Sequence, residues 1–97
     1  MGIIDKLNKD FESRVRLGIM SVLMVNDWVE FTEMKSLLDI TDGNLASHSS
    51  ALEKGEYIEV KKEFVGKKPK TSYRVTNKGR VAFEQHLKSL EKLLKTK

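Results

Sequence analysis

The sequence predicts an α+β fold, mainly α, in which two short, tightly joined helices lead straight into a two-stranded hairpin, with longer helices at both ends. Three observations predict it. Between Thr32 and Lys54, apolar residues fall at helical spacing in two runs separated only by Asp39-Ile40. From Ile58 to Val75, apolar and charged residues alternate with period two around a basic turn. Beyond Thr76, apolar residues return at spacings of 4, 3 and 4.

Taken in order, Ile4, Leu7 and Phe11 recur at helical spacing, either as a separate turn or as the start of the first long helix. After Ser13 the stripe continues through Val15, Ile19, Val22 and Leu23, widened by Leu17, Met20 and Met24, and ends near Asn26. Trp28 to Phe31 reads as a short extended piece. Thr32 is expected to cap a short helix bearing Met34, Leu37 and Leu38 inward, with Glu33 in its first turn. Thr41 or Asp42 caps the next, which runs to about Lys54 with Leu45, Ser49 and Leu52 on its inner face. Strands follow that bear Ile58, Val60 and Phe64, then Tyr73 and Val75, joined by "VGKKPKT", in which Gly66 and Pro69 shape the turn. Thr76 or Asn77 caps a final helix to about Lys95, with Phe83, Leu87, Leu90 and Leu94 as a coiled-coil-like seam.

Composition excludes several classes of function. A chain of 97 residues without cysteine has no disulfide framework, thiolate metal site or cysteine nucleophile. Its two histidines make a transition-metal site improbable, and no nucleophile–base pair, phosphate-cradling glycine loop or paired carboxylate is visible, so neither catalysis nor a cofactor is expected. The longest apolar stretch, "LGIMSVLMV", is too short to span a bilayer. The N-terminus lacks a secretory core, and Lys6 stands where a myristoylation signal has Ser or Thr; a cytoplasmic protein is expected.

The net charge of +4 is unevenly placed. Residues 1–60 carry 6 basic and 11 acidic side chains, whereas residues 61–80 carry 8 basic and 1 acidic. A basic hairpin beside an acidic body suits a polyanionic partner. Two short helices in tandem have the layout of a helix-turn-helix, whose second helix enters the DNA major groove, and the hairpin after it makes a winged-helix order. Asn44, Ser47, His48 and Ser50 are small or medium hydrogen-bonding residues on the second helix, suited to base edges. His48 is read either as a phosphate or base contact or as bonded to backbone. Thr41 lies at the helix N-terminus, where free N–H groups face phosphate. Lys67, Lys68, Lys70 and Thr71 are the expected wing–phosphate contacts, their counter-charges supplied by another molecule. His86 is expected at solvent or a dimer edge. The leucine seam of the last helix either covers its own core or pairs with a second chain.

The stretch from Phe31 to Arg80 resembles the small winged-helix transcriptional regulators related to the MarR and ArsR groups. Asp42, Gly43, Asn44, Leu45, His48, Leu52 and Glu53 match a "DGNLxxHxxxLE" recognition helix, and Pro69, Thr71, Tyr73, Thr76 and Gly79 match the end of the wing. The resemblance covers roughly residues 13–95. It implies one winged-helix domain over 1–97, with its core at 13–80 and helical dimerisation extensions at 1–12 and 81–97. It also implies a homodimer that binds double-stranded DNA and regulates transcription, often as a repressor. Ile4, Leu7 and Phe11 from one end, and Leu87, Leu90 and Leu94 from the other, are then the expected dimer contacts. This chain departs from the pattern in having Ser49 at an apolar position and no basic residue near Ser47, Ser50 or Ala51. That departure motivates an alternative, a winged helix that binds protein rather than DNA. No effector pocket is legible in the sequence.

Overall fold

In the computed structural model, which describes residues 2–96, helices pack around one face of a small antiparallel sheet. Two 3₁₀ turns, Ile3–Lys6 and Lys9–Phe11, lead into α1 (Arg14–Met24). Then come β1 (Val29–Glu30), α2 (Phe31–Leu38), α3 (Asp42–Lys54), β2 (Ile58–Val65), β3 (Lys68–Val75) and α4 (Asn77–Leu94). The sheet order is β1-β3-β2, with Val29 opposite Tyr73 and Val60 opposite the same tyrosine on the other side. The mainly helical α+β class and the helix-turn-helix followed by a wing are thus as the sequence predicts.

Local chemistry sets most boundaries. Ser13, Thr41 and Thr76 each stand at an N-cap, and their hydroxyls accept from Arg16 N (3.3 Å), Asn44 N (3.1 Å) and Gly79 N (2.9 Å). The start of α2 differs from expectation. It begins at Phe31, with extended Glu30 at the N-cap and no side-chain cap, because Val29–Glu30 are held in the sheet and the helix starts where pairing stops. Leu37 is exposed rather than inward-facing. Asp39 takes a left-handed conformation (φ 51) and its N–H bonds to Lys35 O, which turns the chain sharply into α3.

The wing is tighter than the sequence suggests. Val65 pairs with Lys68, so only Gly66 and Lys67 form the turn. Gly66 has φ 67, while Lys67 is not in the positive-φ region, the pattern of a two-residue hairpin turn that needs glycine first. Pro69 therefore lies in β3 opposite Phe64 and does not shape the turn. Phe64, expected to be half-buried by its alternation, is exposed, since the wing extends past the body after Val60.

The core gathers Ile19, Met20 and Leu23 of α1, Leu45 and Leu52 of α3, and Tyr57, Tyr73 and Phe83. Ser49 is also buried, with its hydroxyl on Ala46 O (3.3 Å), so a polar residue on this inner face is satisfied locally. Burial pushes the Tyr73 phenol above its ordinary pKa, with the Ser49 hydroxyl opposing that shift.

The N-terminal segment is not a continuous helix. Leu7 is extended (ψ 141), and Asn8 opens the second 3₁₀ turn by accepting from Asp10 N (2.8 Å). This folds Phe11 into the interior, where it is fully buried against Tyr57 (4.9 Å between ring centres), Phe83 (5.3 Å) and His86 (5.5 Å). Phe11 is thus a core residue of its own domain, not the dimer contact expected, and has no surface to offer a partner. His86 is likewise buried, not at solvent or a dimer edge, and its Nδ1 accepts from Asn8 N (3.0 Å). Asn8 Nδ2 donates to the Tyr57 hydroxyl (3.2 Å), which donates to Asp10 Oδ2 (2.7 Å). The Asn8 bond lowers the Tyr57 pKa, but burial and the Asp10 carboxylate together carry it above 10.0.

The tightest junction joins α4 to the start of β2. A Cβ on Gly79 would collide with the Tyr57 carbonyl oxygen and lie 2.8 Å from its carbonyl carbon. Thr76 N also donates to Tyr57 O (3.0 Å), and the Thr76 hydroxyl donates to Glu56 O (2.7 Å). Lys78 Nζ donates to Gly55 O (2.8 Å). These bonds brace a turn in which Glu56 is forced to a positive φ of 65.

Two outcomes follow from this packing. Gly79→Ala is expected to destabilise the fold by about 3 kcal/mol or more, at or above the usual cost of overpacking. Gly43→Ala, where an added Cβ meets nothing within 4 Å, is expected to stabilise by up to about 1 kcal/mol; urea unfolding of both variants measures the contrast. Burial also lowers the His86 pKa below its ordinary 6.5, with the Glu12 carboxylate pulling the other way. The unfolded chain therefore binds the proton first, and stability is expected to fall as pH drops below 6.5 towards the lowered folded value. Urea midpoints at several pH values check this, and His86→Gln is expected to flatten that part of the profile.

Candidate nucleic-acid interface

The outer face of α3 carries small side chains because its inner face takes all the apolar ones. Leu45, Ser49 and Leu52 point to the core, while Gly43, Asn44, Ser47, Ser50 and Lys54 are exposed. The helix N-terminus is already engaged. Thr41 caps it, the Asp42 carboxylate lies in its first turn, and Asp42 Oδ1 pairs with Lys35 Nζ at 2.8 Å. Thr41 remains exposed at the edge of the face, but its hydroxyl is held by the Asn44 N–H.

His48 sits half-buried on the flank towards α1. Its partner is a side chain and not backbone: Arg16 Nε donates to His48 Nδ1 at 3.1 Å, and the same guanidinium reaches Asp10 O (3.3 Å). With Nδ1 accepting, the ring proton is assigned to Nε2, which leaves one N–H donor on the far side of the ring. Arg14, one helical turn from Gly18 and Leu17 on α1, lines a surface depression with Thr41, Asn44 and Ile40. The cations that α3 itself lacks are thus supplied beside it by α1. Nothing in the sequence pattern marks Arg14 or Arg16, because their proximity to α3 comes from helix packing rather than from spacing along the chain.

On the opposite flank, α3 faces the root of the wing. Ala46, Ser49, Ser50 and Glu53 share a cleft with Val60, Lys62, Thr71 and Tyr73. Thr71 is therefore at the wing root, opposite Lys62 in the β2–β3 register, not at the tip with Lys67. Lys62 is a further cation of this cleft that the sequence reading did not single out; its place beside Thr71 follows only from the observed register.

The wing lysines divide into two groups. Lys70 is held within the protein: its Nζ lies 3.3 Å from Glu30 Oε1 and 3.9 Å from Glu63 Oε1. This corrects the reading of Lys70 as one of the unpaired cations, since the strand register turns it back towards β1. Lys61 lies over the Trp28 ring (4.3 Å), which Arg74 also approaches (4.5 Å) while pairing with Glu59. Lys62, Lys67 and Lys68 have no carboxylate partner among the described residues.

The outcome is an exposed polar helix face, flanked by α1 arginines on one side and by a hairpin with unpaired lysines on the other. Among the described residues, no helix is long and apolar enough to cross a membrane, and no cluster of His, Cys, Asp or Glu has metal-site geometry.

Comparison with known proteins agrees with this architecture. Residues 15–94 match the family model described as a winged helix DNA-binding domain. An uncharacterised protein of Methanocaldococcus jannaschii is 39% identical over 87 residues, covering 90% of this chain and 95% of that protein. The transcriptional regulator homologue of Pyrococcus horikoshii superposes with a TM-score of 0.88 at 29% identity, over 98% of this chain and 96% of that one. The YusO protein of Bacillus subtilis shares the fold alone, with a TM-score of 0.79 at 13% identity over 95% of this chain and 64% of its own. By the family match and by this arrangement of helix and wing, the chain belongs to the winged helix DNA-binding domain family.

Proposed function

We propose that the protein acts as a homodimer that binds a specific duplex site and represses transcription by occluding a promoter. The observation that carries the reading is the α3 outer face, free of large apolar side chains and bearing Asn44, Ser47 and Ser50, with Arg14 on one flank and the unpaired wing lysines on the other. On this reading Asn44, Ser47 and Ser50 approach base edges, and His48 donates from Nε2 to a phosphate while Arg16 fixes its ring. Lys67 and Lys68 neutralise phosphates beside the minor groove. Lys70, tied to Glu30 and Glu63, holds the wing in place instead.

The dimer is supported by what α4 leaves uncovered. Its N-terminal half packs on the domain through Gly79, Phe83 and His86, but Leu87 (45%), Leu90 (36%), Leu93 (39%) and Leu94 (86%) remain exposed as the helix runs on. Ile4 (69%) is exposed on the turn that packs against α4. An apolar strip of this kind on an 11.1 kDa chain is well suited to burial against a second copy. Ile4, Leu87, Leu90, Leu93 and Leu94 are the proposed dimer contacts, with half-buried Leu7 at their edge.

Three measurements test the reading. In fluorescence anisotropy with duplex DNA, replacing both Lys67 and Lys68 with Ala should reduce the salt slope by about 2, whereas Lys70→Ala should leave that slope nearly unchanged. Asn44→Ala should cost about 1–3 kcal/mol at one position of a selected site and little on random sequence. Sedimentation equilibrium should give twice the 11.1 kDa chain mass, and Leu90→Glu should reduce it to that of a single chain. A wild-type protein that sediments as a single chain when bound to its site contradicts the dimer.

A further inference from the structure

The wing tip carries an apolar pad that neither the core nor the proposed dimer strip uses. Phe64 is 75% exposed, whereas Val65, 60% exposed, projects from the opposite face of the hairpin with Lys68. Pro69, also exposed, is directly opposite Phe64 in the register, so the two rings project from the same face of the hairpin. That face also bears Lys62, Thr71 and Val60, which line the cleft against α3. The pad therefore looks along the same side as the α3 outer face, one step further towards the tip.

Its surroundings identify its occupant. Between Lys61 and Lys70 the wing has five lysines and a single carboxylate, Glu63, which Lys70 engages. Lys62 shares the face of Phe64, Lys67 stands in the turn beyond it, and Lys68 projects from the opposite face; none has a carboxylate partner among the described residues. An apolar pad on a hairpin with cations on both faces is complementary to a polyanion that exposes apolar sugar and base surface between two walls of phosphates. The minor groove of duplex DNA has that character, and apolar side chains including Phe and Pro are known wedges there. A second protein surface would have to leave those lysines uncompensated or match all three with acids.

We propose that Phe64, backed by Pro69, is a minor-groove contact that packs on sugar and base edges while Lys67 and Lys68 hold the flanking phosphates. The inference rests on the DNA-binding reading above and adds to it a contact that is insensitive to salt. It also assigns the wing a preference for A·T-rich flanks, where no guanine amino group projects into the groove.

The test is anisotropy over a range of salt with wild type, Phe64→Ala, Phe64→Leu and the Lys67→Ala/Lys68→Ala double variant. Each protein is measured on an A·T-flanked duplex and on the same duplex with 2,6-diaminopurine replacing adenine in the flank. Phe64→Ala is expected to weaken binding about tenfold at every salt concentration, with an unchanged slope. Phe64→Leu should recover most of that loss. The added minor-groove amino group should weaken wild type but not Phe64→Ala. If Phe64→Ala binds like wild type while the lysine variant still weakens, the wing acts by charge alone and the proposal is wrong, although DNA binding stands. If Phe64→Ala changes sedimentation but not DNA affinity, the pad joins copies of the chain and the proposal is equally wrong. Absence of wild-type binding at low salt overturns the DNA-binding reading itself.

Discussion

The approach of Gly79 to the Tyr57 carbonyl is the contact on which the arrangement of the molecule depends. It brings the first turn of α4 against the backbone where β2 leaves α3, closer than any residue with a Cβ allows. Thr76 works at the same point twice, capping α4 through Gly79 N and holding Glu56 O and Tyr57 O. One junction therefore fixes three directions: the end of α3, the line of the wing and the path of α4. The exposed face of α3, the wing and the apolar end of α4 are thus set relative to one another by a close backbone approach that the Thr76 and Lys78 side chains brace.

Charge is organised around this frame by pairing. The acidic body engages the cations that position elements: Lys35 with Asp42, Arg74 with Glu59, and Lys70 with Glu30 and Glu63. Exposed pairs of this type contribute little stability each, on the order of 0–1 kcal/mol. Their consequence lies more in geometry, because Lys70 ties the wing to β1. Lys67 and Lys68 beyond that tie, and Arg14 beside α3, have no carboxylate partner among the described residues. A recognition helix with no basic residue before Lys54 is thereby compensated from both flanks.

Much of the fold was legible because it is encoded locally. Caps at Thr41 or Asp42 and at Thr76 or Asn77 are legible in the sequence, and in each case the threonine takes the role; the stop near Lys54 is legible beside Gly55. The winged-helix family likewise followed from motifs whose spacing survives in the fold, and Gly79 now has a physical reason to be glycine. What was not legible depends on contacts distant in sequence. Phe11 and His86 are buried together because the Asn8 turn, whose N–H bonds His86 78 residues away, folds Phe11 against that ring. Arg16 reaches His48 only through the packing of α1 on α3. Pro69 was read as a turn former, yet pairing across the hairpin draws it into a strand. Phe64 obeys the alternation of a buried strand, but the wing has outrun the core beneath it.

If α3 and the wing form one surface for duplex DNA while the end of α4 serves another purpose, backbone amide shifts of the isotope-labelled protein during titration with a duplex will show it. Perturbations are expected to concentrate at residues 44–50 and 66–68, with residues 87–94 unmoved. Perturbations centred on α4, or a wing that stays silent while another face responds, would contradict it.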